Sequence, residues 1–314
     1  YLMSNILIIK HGSLGDIVQI SGVLKDIRHS LEGKRIFILT TNPYSNLLKM
    51  CPYIDEVLVD KRLPRWNLSY LIQLKRMVKK YNFSYVYDLQ NSSRTSFYRK
   101  YLFNIPNWSS TETALKIGER KKDFDKDSVL DRFKLQLESS GIRVNNSLNP
   151  DINWACIDTN HLIKNYNKNK IILILPFCSK RLPHKKWPHY NDLILLIKNR
   201  YPNFSILIAP SKDEFDEAKK INASVIKNKN EPLNIMELAD LIKKSSFVIG
   251  NDTGPSHMAA HLGKKGVVLF GYHTTANKVS VETKGFKALS VKNLNQLSAD
   301  TVYAYIKKEL DLIN

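Results

Sequence analysis

Four short polar segments of this chain hold the residues whose types and spacing could do chemistry. Lys10-His11-Gly12-Ser13-Leu14-Gly15-Asp16 offers one carboxylate behind a turn. Gly12 and Gly15 permit a tight bend and close approach of a ligand to the backbone. Asp16 is placed either to take a proton from a hydroxyl or to cap the helix that it opens, and the segment alone does not decide between them. Gly250-Asn251-Asp252-Thr253-Gly254-Pro255-Ser256-His257 gathers small and hydrogen-bonding residues where a strand gives way to a helix. Pro255 suits a first helical turn, and the free N–H groups of such an end attract anions. A diphosphate is the favoured occupant, against plain capping by Asp252 or Thr253 and a His257 that only packs. Ser179-Lys180-Arg181-Leu182-Pro183-His184-Lys185-Lys186-Trp187-Pro188 brings four cations, enough to neutralise a leaving diphosphate without a metal. The plainer alternative is a solvated basic loop with Trp187 in the core. Tyr87-Asp88-Leu89-Gln90-Asn91-Ser92-Ser93-Arg94 adds further polar groups, with a helix cap and an exposed Arg94 as the equal alternative.

Each segment follows a run that reads as a β-strand. Apolar, β-rich runs fall at 5–10, 35–40, 56–59 and 85–88, with helical spacing at 16–31, 68–80, 92–102 and 127–139. The rhythm restarts with strands at 170–176, 204–209, 225–226, 247–250 and 266–270. Helices are expected between them at 190–200, 213–221, 234–243 and 254–262, and a terminal one at 298–312. Alternation of this kind predicts parallel, doubly wound α/β sheets, with ligands at the carboxyl ends of the strands. The polar, Asn- and Lys-rich stretch ending at 165–170 reads as a linker, so the expected domains are 1–160 and 161–314. The default site is the cleft between them.

Bulk properties narrow the class. At 314 residues the chain is long enough for two cores. The 24 basic and 16 acidic side chains of residues 1–160, and the 24 and 13 of the remainder, spread the net charge of +19 over both halves. That favours anionic partners but is not a detachable basic tail. With no nucleic-acid-binding module in view, a nucleic-acid partner is not expected. Cys51, Cys156 and Cys178 form no CxxC pair, so neither a disulfide framework nor a zinc site is indicated. No apolar run is long enough to span a bilayer and no secretory signal is legible, which points to a cytoplasmic protein. Thr40 and Thr41 stand where a nicotinamide dehydrogenase would need an acidic ribose ligand, so that class is disfavoured.

Taken together the four segments resemble the heptosyltransferases of lipopolysaccharide assembly, glycosyltransferase family nine. ILIIKHGSLGD resembles that family's strand–SxGD signature, YDLQNSSRTS its D-x-Q segment, HKKWP its K-x-W-P element and GNDTGPSHMAAHLG its D-T-G-x-x-H signature. The resemblance runs from Ile6 to the terminal helix and implies a GT-B fold, two Rossmann-like domains facing a cleft. The terminal helix would pack back on the first domain. It further implies an inverting reaction without a divalent ion or other cofactor, using an ADP-heptose-like nucleotide sugar as co-substrate. By position, Asp16 matches the general base and Lys185 the cation on the departing diphosphate. Asp252, Thr253, Gly254 and His257 match the donor turn, Glu214 the acid on the ribose, and Ser179 lies on the same donor side.

Ser13, Gly15, Asp88, Gln90, Arg94 and Arg120 are expected toward the acceptor, an anionic glycan or glycolipid at the cytoplasmic face of the inner membrane. Arg62, Arg65, Lys121 and Lys122 are further cations for it. The chain departs from the pattern after Leu269-Phe270-Gly271, where Tyr272-His273-Thr274-Thr275 replaces a Pro-Thr-rich turn, and His11 is a second feature that bears on acceptor fit. Two other readings stay open at this point: a nucleotide-sugar epimerase on the same two-domain plan, and a non-enzymatic binder of anionic ligands.

Overall fold

A computed structural model describes residues 5–121, 125–166 and 169–314. Lys122, the linker residues Asn167 and Lys168, and Tyr1 to Met3 lie outside the described residues. The chain divides into two compact units, Tyr1–Trp154 and Ala155–Asn314.

In the first unit the apolar runs form β1 (Asn5–Ile9), β2 (Arg35–Thr40), β3 (Glu56–Val59) and β4 (Phe83–Asp88). A three-residue strand, β5 (Asn107–Ser109), completes a parallel sheet of order β3-β2-β1-β4-β5. The order reverses direction between β1 and β4, so a crevice opens beyond the carboxyl ends of those two strands. Leu7, Ile9, Phe37 and Val86 fill the core with Tyr70, Leu71, Leu74 and Val78 of the helix Leu68–Lys79.

Several helices differ from the expected spans. The stretch 16–31 is two helices, Leu14–Gln19 and Ser21–Ser30, broken at Ile20. The stretch 92–102 is a short α-helix, Ser93–Phe97, followed by a π-helical turn, Tyr98–Leu102, that carries Tyr98 inward. The helix expected over 127–139 runs Val129–Ser139, with Ser128 as its cap. The one-turn helix Thr111–Ala114 is too short to leave a periodic signal, and the helix Asn42–Lys49, which buries Leu47 and Leu48, is a further element that was not expected.

The second unit contains β6 (Lys170–Leu175), β7 (Phe204–Ile208), β8 (Ser224–Val225), β9 (Phe247–Asn251), β10 (Gly266–Phe270) and β11 (Phe286–Ser290). Their parallel order is β11-β10-β9-β6-β7-β8. The reversal here lies between β6 and β9. The stretch 213–221 proves to be a 3-10 turn, Lys212–Glu214, and one helical turn, Phe215–Ala218.

Side-chain clasps explain where the units part. Asp26 accepts backbone N–H bonds from Asn145, Asn146 and Ser147, and the Ser21 hydroxyl accepts one from Asp151, which binds that stretch to the helix Ser21–Ser30. Beyond the break, Thr159 donates its backbone N–H and its hydroxyl to Asp240, each at 2.7 Å. Residues 155–160, expected in the first domain, therefore belong with the second. The terminal helix Ala299–Ile313 buries Ala299, Val302, Ile306 and Leu310 in the second unit's own core, so that apolar face is already occupied there.

Candidate active site

In the first unit the loops after β1 and β4 meet at the β1/β4 reversal. Lys10 Nζ donates to the Leu89 carbonyl at 3.1 Å, and the His11 N–H donates to Gln90 Oε1 at 2.9 Å. Gly12 holds φ at +134°, and a Cβ there would lie 2.3 Å from the Tyr44 ring, so the bend requires glycine. Gly15 is buried in the first turn of the following helix. Asp16 Oδ2 accepts from the Ser13 N–H at 2.6 Å and the Ser13 hydroxyl at 2.9 Å, and Oδ1 lies 3.8 Å from Lys10 Nζ. The helix is capped at Ser13, and Asp16, its third residue, closes a capping box back onto that N–H, yet its side chain remains 41% exposed and within reach of a ligand. Burial pushes the Lys10 ammonium down, and Asp16 and Asp88 oppose that shift.

The other residues expected toward the acceptor divide into those that build the loops and those that face outward. Asp88 is 2% exposed and spends Oδ1 on the N–H groups of Gln90 and Asn91. Burial pushes its carboxyl up. It serves the turn, and its main-chain carbonyl is held by Gln136. Gln90 locks the two loops through His11. Arg94 donates to the Leu63 carbonyl at 3.0 Å and to the Tyr98 hydroxyl at 3.3 Å. Arg120 is exposed beyond the helix Thr111–Ala114, and Arg65 lies over the Phe97 ring.

Beneath the loop lies a buried network that no sequence motif announced. His11, expected to shape the acceptor surface, is 1% exposed and turns inward, with Nε2 2.9 Å from Asp60 Oδ2. Asp60, at the end of β3, also accepts from the hydroxyls of Tyr70 and Tyr98 and from the Arg62 N–H. Burial pushes this carboxyl up, but the bonds from His11, Tyr70 and Tyr98 outweigh it and bring it down to about 2. A carboxylate directly after a strand was the available signal.

In the second unit, the loops after β6 and β9 converge at their own reversal. Asp252 is 3% exposed. Its Oδ2 lies 2.7 Å from Lys185 Nζ and 2.8 Å from His273 Nε2, and its Oδ1 lies 3.2 Å from His257 Nε2. Burial would push this carboxyl up, yet His257, Lys185 and His273 together hold it well below the usual carboxylate range. Asn251 fixes the frame: its side chain donates to the Pro176 carbonyl and accepts from the Trp187 N–H and the Tyr190 hydroxyl. Trp187 is fully buried, with Nε1 donating to the Leu297 carbonyl at 2.8 Å. The tryptophan is therefore a core anchor, as the plainer alternative had it, and it sets Lys185 two residues back at the carboxylate.

Thr253 starts the helix Gly254–His261 without a side-chain cap and with Pro255 in the first turn. Thr253, Glu214 and Ser179 line a recess of about 180 Å³ with Phe177, Cys178 and Pro255. Glu214 also accepts the Ser211 N–H at 2.8 Å. Donors aimed at one carboxylate, beside a free helix N-terminus and a small half-apolar recess, suit a phosphate-bearing nucleoside.

One neighbour titrates against the fold. Burial pushes His261 down to about 4, and His257 acts in the same direction. The folded value lies below the unfolded one, about 6.5, so stability is full above that pH and declines as the pH falls toward 4. Thermal melts across this window should show a loss of about 2–3 kcal/mol in the wild type that is absent in His261→Gln.

Solved structures resemble this architecture along nearly its whole length. E. coli heptosyltransferase WaaC with ADP gives a TM-score of 0.75 at 17% identity, over 97% of this chain and 99% of that one. The glycosyl transferase family 9 protein of Veillonella parvula gives 0.78 at 15% identity, over 98% and 97%. The fold is GT-B, with two Rossmann-like parallel-sheet domains. Residues 71–301 match glycosyltransferase family 9 (heptosyltransferase), and the chain belongs to that family. Among curated relatives, lipopolysaccharide heptosyltransferase 1 of Campylobacter coli is 24% identical over 93% of this chain and 92% of its own length. The protein is a heptosyltransferase-like glycosyltransferase.

Proposed function

We propose that this chain transfers a heptose or related sugar, with inversion, from an ADP-linked or other nucleotide-sugar donor to a lipopolysaccharide-core or related glycan. The observation that carries this reading is the Lys185–Asp252–His257 cluster beside the uncapped Gly254–His261 helix at the β6/β9 reversal. The acceptor oxygen attacks the anomeric carbon while Asp16 takes its proton. The bond from that carbon to the diphosphate breaks, and its electron pair leaves on the phosphate oxygen. Lys185 and the helix N-terminus stabilise the charge that forms there, so no divalent ion or other cofactor is needed. A single displacement requires no second carboxylate, unlike hydrolysis of a glycoside.

Glu214 and Ser179 hold the nucleoside, with Thr253 and Gly254 toward the phosphates. Ser13, Gly15, Gln90, Arg94 and Arg120 serve an anionic acceptor, with Asp88 shaping the loop from below. Among the described residues no helix is long and apolar enough to cross a membrane. We place the enzyme in the cytoplasm, in peripheral contact with the inner membrane.

A thermal-shift panel of nucleotide sugars tests the donor. A ligand at a hundredfold excess over its dissociation constant adds about 3 kcal/mol. ADP-linked sugars should raise the melting temperature more than UDP-, GDP- or CDP-linked ones. Protection by UDP-sugars alone would remove the ADP assignment. Release of nucleotide from the donor with no acceptor present would favour an epimerase instead.

A further inference from the structure

One residue of the turn that follows β10, His273, reaches Asp252. His273 is 7% exposed at its side chain, stacks on Phe270 with ring centroids 5.8 Å apart, and holds Nε2 2.8 Å from Asp252 Oδ2. Lys185 Nζ meets the same oxygen at 2.7 Å. The two segments also touch beside this oxygen, because the His184 ring lies 5.4 Å from His273 and 5.9 Å from Tyr272. An ionised carboxylate only accepts hydrogen bonds, so the His273 ring donates from Nε2.

Two donors sharing one buried oxygen have a consequence for ligand binding. Lys185 cannot turn to a diphosphate without loosening its hold on Asp252. A buried carboxylate that loses its charged partner is strongly destabilised unless other donors hold it. With His273 on Oδ2 and His257 on Oδ1, Asp252 keeps a donor on each oxygen after Lys185 leaves. We infer that His273 is a positioning residue of the donor site, holding the Asp252 carboxylate so that Lys185 is released to the diphosphate of a nucleoside diphosphate. This rests on the donor-site reading of Lys185 given above.

The experiment is calorimetric titration with whichever of ADP, GDP, CDP and UDP the wild type binds most tightly, and with the matching nucleoside. His273→Phe keeps a ring against Phe270 and removes the N–H, and His273→Leu serves the same end if that variant folds poorly. The diphosphate should bind roughly tenfold more weakly while the nucleoside changes less than about twofold. His273→Gln, whose amide reaches as Nε2 does, should recover most of the loss. In a Lys185→Ala background His273→Phe should change diphosphate affinity by less than about twofold, because the effect runs through Lys185. Equal losses for nucleoside and diphosphate, or equal losses with and without Lys185, would overturn the inference and leave His273 a packing residue. A wild type that binds none of the four diphosphates would take down the donor-site reading itself. A bound diphosphate indifferent to His273 takes down only this inference.

Discussion

Asp16→Asn is expected to slow sugar transfer about a thousandfold, within the range for loss of a general base, while nucleoside diphosphate affinity stays near that of the wild type. The substitution separates the two roles that the geometry allows. Asparagine keeps an oxygen that can accept the Ser13 N–H, now held at 2.6 Å by the carboxylate, so the helix cap survives. It cannot accept a proton at neutral pH. Melting temperature should therefore move little, by the equivalent of about 1 kcal/mol or less. Steady-state transfer and a thermal melt on the same sample are sufficient to check it. Unimpaired transfer would reduce Asp16 to a cap and return the search for the base to the other groups of that loop.

The second large effect belongs to Lys185. Lys185→Ala should lower kcat by about 10²- to 10³-fold, the range for removing one preorganised donor from a developing anion. The loss should be greatest with donors whose leaving group is the unassisted diphosphate. It should shrink with a donor carrying a better leaving group, because the cation then has less charge to stabilise. A loss of the same size for every leaving group would mean that Lys185 supports Asp252 and the fold rather than the departing phosphate. Lys185→Arg is not a neutral exchange here. The ammonium sits 2.7 Å from Asp252 beside His273 on the same oxygen, and a planar guanidinium does not fit a point-charge position.

The buried strands were legible because their burial is two-sided. Lys170–Leu175 and Gly266–Phe270 are near-continuous apolar runs that cannot be solvated, and so must lie mid-sheet. Of the four edge strands among the described residues, those at 56–59 and 225–226 were expected, and the other two were not. Asn107–Ser109 has three residues, and Phe286–Ser290 has one fully buried position, so neither carries a periodic signal. Local pattern also says nothing of strand order, yet order makes the site. Lys185 and Asp252 meet because β6 lies beside β9, and the β1 and β4 loops join through Lys10 and Gln90 for the same kind of reason.

The resemblance singled out Lys185 and His257, but not their shared contact with Asp252, which only the folded chain brings about. His273 lies in a turn singled out only as a departure from the pattern, and nothing in its residue types pointed to Asp252. The Asp60 network was hidden because its partners, His11, Tyr70 and Tyr98, come from three separate elements. Asp88 shows the opposite failure. A carboxylate at a strand end looked available to a ligand, but the turn that follows uses it first.

The clasps on either side of Trp154 have a practical bearing on how this enzyme could be recombined. Asp26 and Ser21 hold the chain as far as Asp151, and Asp240 takes hold of it again at Thr159. A chimera joined between Trp154 and Ala155 would leave both sets of bonds whole, so the second unit could be exchanged for a relative's as one piece. A junction at residue 160 would strand Thr159 on the wrong parent and leave the Asp240 carboxylate without it.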